Sequence, residues 1–238
     1  VDSEDATPRD LIVQTTGGGV TRFFDTVGGT FNLASLTTDG DGTAGGTGSA
    51  NGTTEIYANI FTKAGAGQTF NDSVLLMTTV ANGGLIALED SAAGIFFRNG
   101  TNAIDSSDTA AVSDETSLTL SIDGGNLLFA GPVGAQFRLG DILIDDTDDG
   151  SIDVNGGIVN NVTGLGDVFA TSFVQKAGTG FTNFAGVAID TSGVADGEAG
   201  GIVDITTDGL VTIGTINTAG AEDPVGVGGT GGTVDVTS

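Results

Sequence analysis

Cysteine, histidine and tryptophan are absent from this chain, and basic residues number only six among 238. Without cysteine there is no disulfide framework, although export is not excluded, because many surface proteins avoid thiols. Without cysteine or histidine no thiol–imidazole or serine–histidine pair can be assembled, which removes the common routes of nucleophilic catalysis. The six basic side chains face 31 acidic ones, a formal charge of −25. That balance disfavours nucleic acid as a partner, repels anionic membrane surfaces and makes divalent cations the natural counter-ions. No apolar run reaches the length of a transmembrane segment, and no basic stretch followed by an apolar one opens the chain. The first residue is Val1 rather than Met, which reads as a processed product or an excised segment.

Two things are abundant: glycine, with 42 residues, and short groups of Val, Ile, Leu and Phe within a 38% hydrophobic chain. Low-complexity disorder lacks regularly spaced apolar residues, so their order argues for a folded chain of short strands and tight turns. Leu118, Leu120 and Ile122 keep a period of two, as do Ile142 and Ile144, Ile152 and Val154, and Val234 and Val236. A period of two is that of strands with one buried face. Nowhere does an i, i+3, i+4, i+7 apolar pattern persist, so almost no helix is expected.

The chain is also written twice. Gly18 to Asp39 matches Gly124 to Asp145 without a gap at an offset of 106 residues. The identities are Gly18/Gly124, Gly19/Gly125, Phe23/Phe129, Val27/Val133, Gly28/Gly134, Phe31/Phe137, Leu33/Leu139 and Asp39/Asp145. With small slips the match extends to Lys63/Lys176, at an offset of 113. The organisation expected is an acidic arm or cap over residues 1–10, a first repeat over 11–116 and a second, continuous with it, over 117–238. The apolar groups are three to five residues long and recur in series, which suits a parallel β-helix better than a sandwich of long hairpins. The fold expected is therefore all-β, a right-handed parallel β-helix (β-solenoid). Phe23, Phe129, Phe31 and Phe137 are expected to stack as a core ladder.

The run GGVTRFFDTVGG, LASLTTD and TKAGAGQTFNDSVLL, with its second version GGNLLFAGPVGA and LGDILID, resembles the repeats of large bacterial surface and secreted adhesins of the filamentous-haemagglutinin-like class. The resemblance spans most of Leu11 to Ser238. It implies a right-handed parallel β-helix, an extracellular or cell-surface rod, and adhesive or matrix roles, with cell-surface glycans or other matrix components as partners. It supplies no catalytic residues.

Chemistry has few places to reside. The densest carboxylates are Asp145, Asp146, Asp148, Asp149 and Asp153, a candidate calcium turn. Asp145, Asp149 and Gly150 fit the first, fifth and sixth positions of the EF-hand loop, but Thr147 stands at the third and Gly156 at the twelfth, where Glu belongs. A solvated turn is the plainer reading, and no cofactor is required. Carbohydrate-active enzymes do occur on β-helices, but no carboxylate pair stands out here and a site is normally marked by an exception to the repeat. The chain reads as a non-enzyme.

The strand-like ends carry the functional expectation. Leu11, Ile12 and Val13 near the start, and Thr233, Val234, Asp235 and Val236 near the finish, read as edge strands able to pair with another copy. A head-to-tail contact that does not close into a ring makes a filament. The function expected is an extracellular structural protein stacking with itself. The alternatives are a passive adhesin stalk and, less favoured, a carbohydrate-active enzyme.

Overall fold

The computed structural model describes residues 1–15, 18–39, 52–79, 84–91, 93–107, 115–145, 161–176, 178–224 and 226–238. Among them no helix forms. In chain order the strands are β1 (Asp10–Gln14), β2 (Val20–Phe23), β3 (Leu33–Asp39), β4 (Thr53–Ile56), β5 (Ile60–Phe70) and β6 (Ser73–Leu76). They continue with β7 (Leu85–Asp90), β8 (Gly94–Phe97), β9 (Ile104–Ser106), β10 (Ser117–Ile122), β11 (Asn126–Phe129) and β12 (Leu139–Asp145). The last are β13 (Asn161–Gly164), β14 (Val168–Gln175), β15 (Thr182–Asp190), β16 (Val203–Thr206), β17 (Val211–Asn217) and β18 (Val234–Thr237). Every ladder between them is parallel, as in β10 beside β12, where Leu118 pairs Ile142 and Leu120 pairs Ile144. Parallel neighbours need a crossover between them. Here the crossover is itself a strand: β2 lies between β1 and β3 in the chain, and β11 between β10 and β12.

The pairing corrects the expected right-handed parallel β-helix, or β-solenoid. Nine strands close on themselves in the order β5–β7–β10–β12–β14–β15–β13–β11–β8 and back to β5. In its hydrogen-bond connectivity this is a closed nine-strand parallel barrel. A four-stranded sheet, β2–β4–β6–β9, accompanies it. The physical reason lies in strand length, because short apolar groups separated by glycine-rich clusters predict strands that end at each cluster. Instead β5 runs for 11 residues through Lys63 to Gly67, with Ala64 at φ 68° and Gly67 at φ 76° turning the chain without ending the strand. Besides β3, it therefore serves β7 through Ile60 to Thr62 and β8 through Gln68 to Phe70. Likewise β14 meets β15 at Val168/Ile189 and β12 at Ile142/Phe173, which completes the ring.

One contiguous core fills the interior. Alternation places Ile86 and Leu88 of β7, Leu118 and Leu120 of β10, and Ile142 and Ile144 of β12 in successive registered rows, all buried. Each such side chain contributes roughly 1.5–3 kcal/mol relative to exposure. Phe70, Phe97 and Phe129 stack at 5.3 and 5.4 Å between centroids, nearly parallel and fully buried. Aromatic stacking is thus present, and of the four residues expected in it Phe129 takes part, beside Phe70 and Phe97. Phe23 and Phe129 are buried, whereas Phe31 and Phe137 are exposed.

The duplication is real at the level of hydrogen bonds. Phe61 N–H donates to Val27 O and Phe169 N–H to Val133 O, both at 2.9 Å. Gly28 N–H donates to Val1 O as Gly134 N–H donates to Ile104 O, and Ser3 N–H to Phe31 O as Ser106 N–H to Phe137 O. Val1 to Ser3 thus occupies in the first copy the place that β9 occupies in the second, with Ser3 buried. The Lys63/Lys176 equivalence is corrected. Lys176 N–H donates to Ile144 O, and its counterpart is Asn71, whose N–H donates to Thr38 O.

Candidate functional site

Three regions were singled out by the sequence or emerge from the fold. The first is the carboxylate turn. Asp145 ends β12, is buried, and pairs with Lys176 Nζ at 3.4 Å. Asp146, Asp148, Asp149 and Asp153 lie outside the described residues. Among the described residues no group of three or more carboxylates converges on a point.

The second region is the pair of strand edges. Among the described residues β1 pairs only β3, and β18 pairs only β16. They stand at opposite ends of one continuous parallel path, β1–β3–β5–β7–β10–β12–β14–β16–β18. On β18, Val234 and Val236 are in register with buried Val203 and Ile205, yet they are 50% and 42% exposed. On β1, Leu11 and Val13 are half-buried against the core, beside fully buried Leu36 and Thr38. Both ends therefore show core-facing side chains with one flank open. The backbone follows suit. Val203 N–H donates to Thr233 O and Thr207 N–H to Thr237 O, so in a parallel ladder the N–H and C=O of Val234 and Val236 point to the free edge. Ala34 N–H donates to Arg9 O, which leaves the N–H and C=O of Asp10, Ile12 and Gln14 on the free edge of β1.

The third region was not singled out from the sequence. A surface groove of about 610 Å³ is lined by Phe24, Asp25, Thr26, Tyr57, Ala58, Asn59, Thr79, Leu85 and Ala87. Phe24 and Tyr57 follow β2 and β4, neighbours paired Phe23 to Ile56, so the ladder itself brings the two rings together. Their centroids are 4.7 Å apart at 38°, and Phe24 is 68% exposed. Behind them Arg22 grips Glu55 through both carboxylate oxygens, Nε to Oε2 at 2.7 Å and Nη2 to Oε1 at 3.1 Å. Tyr57 Oη donates to the same Glu55 Oε2 at 3.0 Å. The Glu55 hydrogen bond holds Arg22 charged beyond its ordinary range, while burial and then Glu55 push the Tyr57 phenol up, so Tyr57 remains a protonated donor. Asn59 accepts from Ala87 N–H at 3.0 Å, and Asp25 Oδ1 accepts from Thr26 N–H at 2.8 Å.

A signal for this groove does exist in the sequence: Tyr57 is the sole tyrosine, and Phe24 has no aromatic counterpart 106 residues on. Compared with protein-family models, with curated proteins and with solved structures, the chain matches none.

Proposed function

We propose that this protein is a structural, non-enzymatic element that assembles head to tail, β18 of one copy adding in parallel to β1 of the next. The observation that carries the reading is the exposure of Val234 and Val236 in register with buried Val203 and Ile205. Adding a strand beside them would remove apolar side chains from water and satisfy outward N–H and C=O groups at once. Because β1 and β18 differ, the contact is heterologous and propagates into a filament unless it closes. An extracellular or cell-surface setting, with matrix components around it, belongs to the same proposal.

The test is negative-stain microscopy with sedimentation velocity over a concentration series, comparing the wild type with Val236→Pro and Ile12→Pro. Each proline removes an outward N–H while leaving the bonds of its strand to β16 or β3 in place. Assembly in the wild type, lost in either variant at unchanged circular dichroism and Tm, supports the proposal. A wild type monomeric at all concentrations overturns it in favour of a passive stalk.

A further inference from the structure

We infer that the groove at Phe24 and Tyr57 is a binding site for a neutral sugar, one hexose ring of a glycan lying on the exposed aromatic surface. The argument begins with the duplication, which gives the molecule an internal control. Tyr57 N–H donates to Phe23 O, and Leu165 N–H donates to Phe129 O, both at 2.9 Å. Val27 N–H donates to Asn59 O as Val133 N–H donates to Asp167 O. In this frame Arg22 and Glu55, paired across β2 and β4, become Leu128 and Thr163, paired across β11 and β13. Phe24 becomes Ala130, Asp25 becomes Gly131 and Tyr57 becomes Leu165. The same backbone thus forms without the ion pair, the aromatic pair or the Asp25 carboxylate, and it carries an acid, Asp167, where the groove has Asn59. The first copy departs from the second at all of these positions together, and they converge on one groove. Folding needs do not explain that concentration of differences, because the second copy meets those needs without them.

The chemistry of the lining selects the ligand. Two rings with centroids 4.7 Å apart at 38° pack against each other, which leaves no gap between them for a cation and presents Phe24, 68% exposed, as the apolar platform. Beside it stand the Asp25 carboxylate and the Asn59 amide, whose Oδ1 is engaged by Ala87 and whose Nδ2 is the donor it offers. A wholly apolar ligand would desolvate these groups without replacing their hydrogen bonds. An anionic ligand would meet a chain of charge −25. A pyranose carries C–H groups on its faces and hydroxyls around its rim, so one ring satisfies the platform and the polar wall together. Glu55, held by Arg22, accepts a hydrogen bond from the Tyr57 hydroxyl and so fixes where that ring sits. This site is independent of the strand-edge assembly.

The protein supplies its own reporter. With no tryptophan and one tyrosine, its tyrosine-band emission, at longer wavelength than that of phenylalanine, comes from Tyr57. Cellohexaose, maltohexaose, mannohexaose and chitohexaose are titrated separately, followed by tetramethylammonium chloride. At least one hexaose is expected to change the emission saturably, with Phe24→Ala weakening that sugar tenfold or more and Phe31→Ala, at an exposed phenylalanine off the groove, leaving it unchanged. The double variant Phe24→Ala/Tyr57→Leu carries the residue types of Ala130 and Leu165 on equivalent backbone and is expected to fold. Calorimetry should then show no binding of the same sugar. The inference is overturned if no hexaose gives a saturable response, if the double variant binds as tightly as wild type, or if only tetramethylammonium saturates.

Discussion

Gly28 lies against Phe61 so closely that a Cβ on it would collide with the Phe61 carbonyl oxygen, and Gly134 stands in the same relation to Phe169. Both glycines have positive φ, 74° and 68°. Gly134→Ala is expected to combine a left-handed penalty of about 1–2 kcal/mol with displacement of the Phe169 strand. Chemical denaturation should show a loss larger than that penalty alone. A neutral substitution would contradict the close approach.

The stack of Phe70, Phe97 and Phe129 predicts an uneven response to truncation. Phe97 has aromatic partners on both sides, and Phe97→Ala is expected to cost about 3–5 kcal/mol. Phe31→Ala, at an exposed position, should stay within about 0.5 kcal/mol of wild type. Equal costs would show that the stack does not organise the core.

Asp105 predicts a stability slope in acid. Burial raises its carboxyl above the ordinary value of 3.8, opposed by hydrogen bonds from Asn102 and from the N–H groups of Gln136, Phe137 and Ala135. The folded chain therefore holds this proton to higher pH than the unfolded chain does. Its contribution is full below the ordinary value and is lost as pH rises through the raised one. Asp105→Asn should remove that component from a plot of stability against pH and be at least as stable as wild type at neutral pH.

Asp190 behaves in the opposite sense. Burial pushes its carboxyl up, but Ser192, through Oγ–H at 2.6 Å and N–H at 2.9 Å, together with Asn217 and the charge of Arg138, brings it net below 3.8. Its stabilisation is present above the ordinary value and lost as pH falls through the depressed one. Ser192→Ala should raise the carboxyl titration observed by carbon NMR and cost under about 1.5 kcal/mol at neutral pH. An unshifted titration would refute the role of the hydroxyl.

Head-to-tail assembly brings together copies of charge −25, so repulsion opposes it. The screening length falls to about 10 Å at 0.1 M salt and about 3 Å at 1 M. Sedimentation is expected to show assembly strengthening with sodium chloride. Weakening with salt would point instead to a contact held by ion pairs.

The sequence alone settled what is local. Alternation at Leu118, Leu120 and Ile122, and at Ile142 and Ile144, named the buried faces, because side chains in a strand point to opposite sides with a period of two. The match of Gly18 to Asp39 with Gly124 to Asp145 announced a duplication that the hydrogen bonds reproduce, and the absence of a helical period left an all-β chain. Only the tertiary structure decided which strand pairs with which. β5 turns a corner at Ala64 to Gly67 without ending, and that continuity closes the pairing path, a feature no local pattern encodes. It also decided that Lys176 corresponds to Asn71 rather than Lys63, that Phe31 and Phe137 lie outside the core, and that Val1 to Ser3 fills the place of β9. The groove belongs to the same class. Phe24 and Tyr57 are 33 positions apart in sequence and meet because Phe23 pairs with Ile56, so their contact is a property of register, which long-range pairing sets and composition does not.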